Sequence, residues 1–161
     1  MALFKKRKQE IQALRDSGMT VVVAGKHVSG LPLAENTSCL VRSFPNKLEI
    51  KAGDITIDLD KSKITDIQLV SDRDVQKKKV SSIGGAVAGG VVFGPLGAII
   101  GGRAKTKKVT TINYYLIITY QDKNDNLVNI GFDLAGYAGG VDKLIKEFKS
   151  AYGSQDTHIE L

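Results

Sequence analysis

Apolar and polar residues alternate most clearly between Asn46 and Val70. Leu48 and Ile50 alternate with Lys47, Glu49 and Lys51, Gly53-Asp54 supplies a turn, and Ile55, Ile57 and Leu59 alternate with Thr56, Asp58 and Asp60. A period of two with one wet face predicts an antiparallel meander. After a turn at Asp60 to Ser62 the phase shifts at Ile64, Ile67 and Leu69, which predicts a bulge. Upstream, TVVVAGKHV and TSCLVRSF read as short β-branched strands separated by the turn-forming GLPLAEN. Downstream, VTTINYYLIITYQDKNDNLVNIGFDL reads as a long hairpin with DKNDN (122–126) as its loop. The first strand of that hairpin is apolar on both faces, with Ile112, Tyr114, Leu116 and Ile118 on one and Tyr115 and Ile117 on the other. Such a strand is central or closely covered. The pattern gives seven strands, at about 20–28, 37–42, 46–51, 54–59, 63–70, 109–120 and 126–132.

Two stretches carry helical spacing instead. In GGVDKLIKEFKSAYG, Val141, Leu144, Ile145, Phe148 and Tyr152 fall on one helical face, Lys143, Lys146 and Lys149 take the wet face, and Gly153 is a natural stop. LFKKRKQEIQALRDSGM predicts a helix with Phe4, Ile11 and Leu14 on or near one face and Gly18 at its end. Lys5, Lys6, Arg7 and Lys8 occupy the polar positions between them. A basic amphipathic helix of this kind can lie on an anionic membrane surface or pack on its parent domain.

Between Val80 and Gly102 the chain runs 23 residues without a charge. Glycine recurs there at i, i+4 spacing, as Gly85/Gly89, Gly90/Gly94 and Gly97/Gly101, which on helices makes smooth faces where backbones approach closely. Phe93-Gly94-Pro95 in the middle combines a helix stop with a residue that cannot continue the ladder, so the run predicts a hairpin. Each arm is about ten residues, or about 15 Å at ~1.5 Å rise per residue, which is about half of a ~30 Å hydrocarbon core. Lys77, Lys78 and Lys79 precede the run, and Arg103, Lys105, Lys107 and Lys108 follow it. With basic residues at both ends, the positive-inside tendency puts both on one side of a membrane. Val92, Phe93, Pro95 and Leu96, with the six spaced glycines, are the expected contact residues of the hairpin, against either lipid or protein.

Composition narrows the class. Hydrophobic residues make up 42% and charged residues 25% of 161 residues, which suits a globular chain with a real core and argues against wholesale disorder. Cys39 is the lone cysteine, so neither an intrachain disulfide nor a cysteine metal cage is expected. No apolar stretch of signal-peptide length follows Lys5 to Lys8, so a cytoplasmic location is expected, with peripheral attachment at the inner membrane face. The net charge of +6 favours anionic partners.

The order of elements, with the words HVSGLPL, NKLEIKAGDITIDLDKSKITDIQL and GGVDKLIKEF, resembles bacterial pleckstrin-homology (PH)-like proteins, some of which carry a comparable glycine-rich insert. The resemblance covers roughly residues 20–152. It implies a mainly β fold with α: a seven-stranded, partly open barrel made of a four-strand meander and a three-strand return, capped by the C-terminal helix. Matching that order places the glycine run as an insertion between the fourth and fifth strands. The implied organisation is a basic amphipathic N-terminal helix at 1–19, a PH-like domain at 20–152 interrupted by a glycine-rich hairpin at 80–104, and a flexible tail at 153–161. Strands on either side of such an insertion pair in one compartment, which excludes a single membrane span.

Candidate chemistry is sparse. His27 and His158 are the only histidines, too few for a triad or an imidazole metal site, and no catalytic, cofactor or metal residues are assigned. Asp54, Asp58, Asp60, Asp66, Asp72 and Asp74 are expected on the wet face of the meander, without EF-hand spacing. No phosphate-loop motif occurs in the glycine stretches, and Tyr114 and Tyr115 suit a strand better than a base-stacking platform, so nucleic acid is disfavoured. In PH domains that bind phosphoinositides, a basic pair in the first hairpin clamps the headgroup; here Lys26, His27 and Arg42, with Gly30, Pro32 and Glu35 between them, do not clearly match that motif. The expectation is a non-enzymatic binding or adaptor module that meets an anionic membrane surface or a second copy of itself. The alternative is a protein-interaction or inhibitor protein whose hairpin docks into a partner protein.

Overall fold

The computed structural model describes residues 1–73, 96–100, 102, 112–135 and 139–152. Helix α1 (Ala2–Asp16) is followed by β1 (Val21–Ser29), β2 (Ser38–Ser43), β3 (Lys47–Ala52) and β4 (Ile55–Asp60). A 3-10 turn, Lys61–Lys63, leads into β5 (Ile64–Ser71); β6 (Tyr114–Gln121), β7 (Leu127–Asp133) and helix α2 (Val141–Tyr152) follow. The seven strands form one sheet in the order β4-β3-β2-β1-β7-β6-β5, with every neighbouring pair antiparallel. β1 therefore joins the four-strand meander to the three-strand return, as expected of a PH-like fold.

Side-chain alternation produces the core. Val21 and Val23 of β1, Val41 of β2, Leu48 and Ile50 of β3, Leu59 of β4, Ile67 of β5, Leu116 and Ile118 of β6 and Ile130 and Phe132 of β7 all point into one core. Helix α2 adds Val141, Leu144 and Phe148 to that core from the side, while Tyr152 stacks on Phe148 with ring centroids 5.6 Å apart. Two polar contacts hold α2 to the start of β1. The Thr20 hydroxyl donates to Glu147 Oε2 at 2.7 Å, and Lys143 Nζ donates to the Thr20 carbonyl at 3.0 Å. The expected phase shift is present as a register break between Ile64 and Asp66 where β5 pairs with β6. The DKNDN turn is organised by Asp122, whose Oδ1 accepts from the backbone N–H of Asn124 and Asn126, and those bonds hold its carboxyl below the ordinary aspartate value.

Three expectations are corrected. The glycine-rich run lies between the fifth and sixth strands, not between the fourth and fifth, because Ile64–Ser71 pairs with β6 as the outer strand of the return. Asp66 and Asp72 are not on a wet face. They are 7% and 3% exposed: Asp66, opposite Thr119, lies on the same face as Val70, Tyr115 and Ile117, away from the main core, and that face is itself buried there, with the Gln68 amide donating to Asp66. The sixth strand starts at Tyr114 instead of 109; Ile112 and Asn113 precede it, and 109–111 lie outside the described residues.

Candidate functional site

Antiparallel pairing fixes where the insertion leaves the sheet. Ser71, at the end of β5, is the cross-strand partner of Tyr114, at the start of β6. The Asp72 N–H then donates to the Asn113 carbonyl at 3.0 Å and extends the pairing by one step. Everything from Arg73 to Ile112 is thus one long connection that departs and returns at a single point of the domain. A segment that crossed a membrane once would separate two strands that pair residue for residue.

Of the glycine-rich run, residues 96–100 and 102 fall within the described residues. Residues 96–100 are helical, and Leu96 and Ile100, one turn apart, are 2% and 0% exposed. They pack with Val28, Val70, Tyr115 and Ile117 into a second apolar cluster, separate from the main core. Tyr115 and Ile117 alternate along β6 with the inward Leu116 and Ile118, so the cluster lies on the outer face of the sheet. This is why β6 is apolar on both faces. Gly131 in β7 makes room for the segment. A Cβ built on it would lie 2.5 Å from Leu96 Cδ1, so the Leu96 side chain occupies the space a larger residue would fill. Burying Leu96 and Ile100 contributes about 1.5–3 kcal/mol each. Against this, the Tyr115 hydroxyl is buried in the same cluster without a hydrogen-bond partner, a cost of about 1–3 kcal/mol.

The opposite situation holds at α1, in which no residue is buried. Leu3 and Phe4 are 78% and 73% exposed and Ile11 41%. Leu3 joins Phe4, Ile11 and Leu14 on one stripe, with Arg7 inside it and Lys8 and Arg15 at its edge by helical spacing. The helix ends in a Schellman arrangement, in which Met19 N–H donates to the Leu14 carbonyl and Gly18 N–H to the Arg15 carbonyl, with Gly18 at φ 101°. A Cβ on Gly18 would sit 3.2 Å from Pro45 Cδ, so this elbow rests on the β2–β3 turn while the body of the helix stays unburied.

The first hairpin does not assemble a headgroup clamp. His27 is buried, with Nδ1 3.2 Å from the Ala34 carbonyl and Nε2 accepting from the Leu31 N–H at 3.2 Å, so its ring braces the β1–β2 loop. Arg42 is paired to Glu49 at 3.0 Å. Of the three basic residues in the hairpin, Lys26 alone faces the shallow groove that also involves Ser38, Leu40, Lys51 and Asp133. Among the described residues no group of three or more His, Cys, Asp or Glu is placed to hold a metal ion. Cys39 is buried, and burial pushes its thiol above the ordinary cysteine value.

Of the expected hairpin contacts, Leu96 and Gly97 are described and both are buried. Gly85, Gly89, Gly90, Val92, Phe93, Gly94, Pro95 and Gly101 lie outside the described residues, as do Lys77, Lys78, Lys79, Arg103, Lys105, Lys107, Lys108 and the 153–161 tail. Lys5, Lys6, Arg7 and Lys8 are exposed on α1. Pattern reading missed Leu3 as part of the exposed stripe and Gly131 as the seat of Leu96. A glycine inside a strand was the available signal for the second, since it marks close approach of another group.

A seven-stranded antiparallel sheet with a helix against its core and a long β5–β6 insertion defines a PH-like domain. A family profile described as "Glycine zipper containing PH domain" matches residues 26–133. The chain belongs to that family, and the match takes in the whole insertion while leaving α1 and α2 outside it. PH-like domains are typically non-catalytic and commonly bind lipids or proteins. No curated protein matches the chain.

Proposed function

We propose that this protein is a non-enzymatic binding module that attaches peripherally to an anionic membrane surface, at the cytoplasmic face of the inner membrane. The observation that carries the reading is α1, whose Leu3 and Phe4 stand in solvent beside Lys5, Lys6, Arg7 and Lys8. A helix with an unburied apolar stripe and basic flanks gains by lying in the interface plane, with its apolar side in the headgroup boundary and its cations on anionic lipid. Lys77 to Lys79 and Arg103 to Lys108 flank the same insertion in sequence and add to that attraction, at about 1 kcal/mol per basic residue near the surface. No described helix is long and apolar enough to cross a membrane, and a surface attachment needs none.

Protein contact through the insertion is the second reading, favoured by Leu96 and Ile100, which lie against the protein's own sheet. The two readings use different parts of the chain and are compatible.

Vesicle binding by α1 variants tests the first. Replacing Lys5, Lys6, Arg7 and Lys8 together by Gln should weaken partitioning onto anionic vesicles by on the order of a thousandfold, at ~1 kcal/mol per residue. Replacing Leu3 and Phe4 by Ser should weaken it by roughly tenfold or more, from lost apolar burial. Unchanged partitioning of both variants would remove α1 from the contact.

A further inference from the structure

We propose that the outer-face pocket formed by Val28, Val70, Tyr115, Ile117 and Gly131 is an exchangeable socket, filled by residues 96–100 of the same copy in the closed state and by residues 96–100 of a second copy in an assembled state. This deepens the protein-contact reading and involves no lipid.

Four observations lead to it. The socket cluster and the main core lie on opposite faces of the sheet, so lifting the segment leaves the inner core and the capping helix α2 untouched. Complementarity is specific, because Leu96 fills the volume that Gly131 leaves open, which makes the same sequence from another copy the best-fitting occupant. The Tyr115 hydroxyl, buried and unpartnered beneath the closed segment, is rehydrated when the segment lifts, which favours opening. Tether length permits the reach. The residues between Ser71 and Leu96 number 24 and those between Ile100 and Tyr114 number 13; at up to ~3.3 Å per residue the shorter can extend about 40 Å, against a radius of gyration of about 15 Å for a chain of this size. Reciprocal exchange gives a closed two-fold dimer in which each socket holds its partner's segment.

Disulfide trapping tests this. Leu96→Cys and Gly131→Cys are made singly and together, with the unchanged chain, whose Cys39 is buried, as control. A Cβ at 131 would lie 3.2 Å from Leu96 Cγ, so the two thiols fall within bridging range. The double variant should form an intrachain bond on oxidation. Mixing the two single variants, one carrying a mass tag, should give a disulfide-linked heterodimer in at least severalfold excess over homodimers of either alone. A mixture that stays monomeric, or yields hetero- and homodimers in random proportion, while the double variant closes on itself, would overturn exchange and leave the segment as a fixed part of each monomer. Failure of the double variant to close would overturn the socket itself. Neither failure bears on vesicle binding by α1.

Discussion

Single positions carry several of the testable consequences. Lys61 is 6% exposed, and the hydroxyl of Ser43, which accepts from its Nζ at 2.8 Å, is its direct side-chain partner. Burial lowers the ammonium below its ordinary value of 10.5, an effect the negative charge of Glu147 partly offsets. A base with a depressed folded-state value binds fewer protons folded than unfolded. Its cost is full below that depressed value and disappears as pH rises toward 10.5. Thermal melts should therefore show the native chain gaining on Lys61→Met as pH is raised from neutral toward 10, and parallel profiles would contradict this. Two glycines differ in what replacement costs. Gly30 has φ 101°, and a Cβ there would collide with the Asn129 carbonyl, whereas Gly53 has φ 58° and nothing within 4 Å. Gly30→Ala should cost at least ~2 kcal/mol, combining backbone strain with collision, and Gly53→Ala about 1 kcal/mol from backbone strain alone. Equal denaturation midpoints for the two would refute the distinction.

At the scale of elements, what the sequence made legible depended on how each element is used. Strands with one wet face, such as Lys47–Ala52 and Ile55–Asp60, announce themselves by alternation, and the face of α2 by Val141, Leu144 and Phe148. The double-sided strand β6 was recognisable as covered because Tyr115 and Ile117 are as apolar as Leu116 and Ile118, yet nothing in β6 itself names its cover. Only the structure brings Leu96 and Ile100 there, since a glycine-spaced segment has the same face whether it meets lipid, another copy or its own sheet. Asp66 and Asp72 were read as wet because alternation with the inward Ile67 and Leu69 puts them on the outer face, and nothing in the strand itself tells that this face is buried here. The two apolar clusters should respond differently to truncation. Leu144→Ala should lower global stability by about 2–5 kcal/mol, as a cavity in the main core does. Leu96→Ala should instead reduce hydrogen-exchange protection in residues 96–100 with a much smaller change in the unfolding midpoint, because the outer cluster can open by itself. Comparable global losses in both variants would show one cooperative core.

The whole molecule is a sheet with two attachments of opposite character. Helix α1 shows its apolar stripe to solvent, whereas residues 96–100 of the glycine-rich insertion turn Leu96 and Ile100 onto the sheet. Positive charge follows both attachments, in a chain of net charge +6. The fold could be read from element order, but the function could only be narrowed, because a diffuse basic surface carries no residue constellation comparable to a catalytic set. His27 and Arg42 show the same point within one hairpin: both are basic, yet one braces a loop and the other is held by Glu49. Diffuse electrostatic attachment has a signature of its own, since charges in solvent are screened over about 10 Å at 0.1 M salt. The most direct measurement is co-sedimentation of the intact chain with anionic and with zwitterionic vesicles across ionic strength. The expected result is sedimentation with anionic vesicles at low salt, release as salt is raised, and little binding to zwitterionic ones. Equal binding to both lipids, or none to anionic vesicles at low salt, would contradict attachment at an anionic membrane surface.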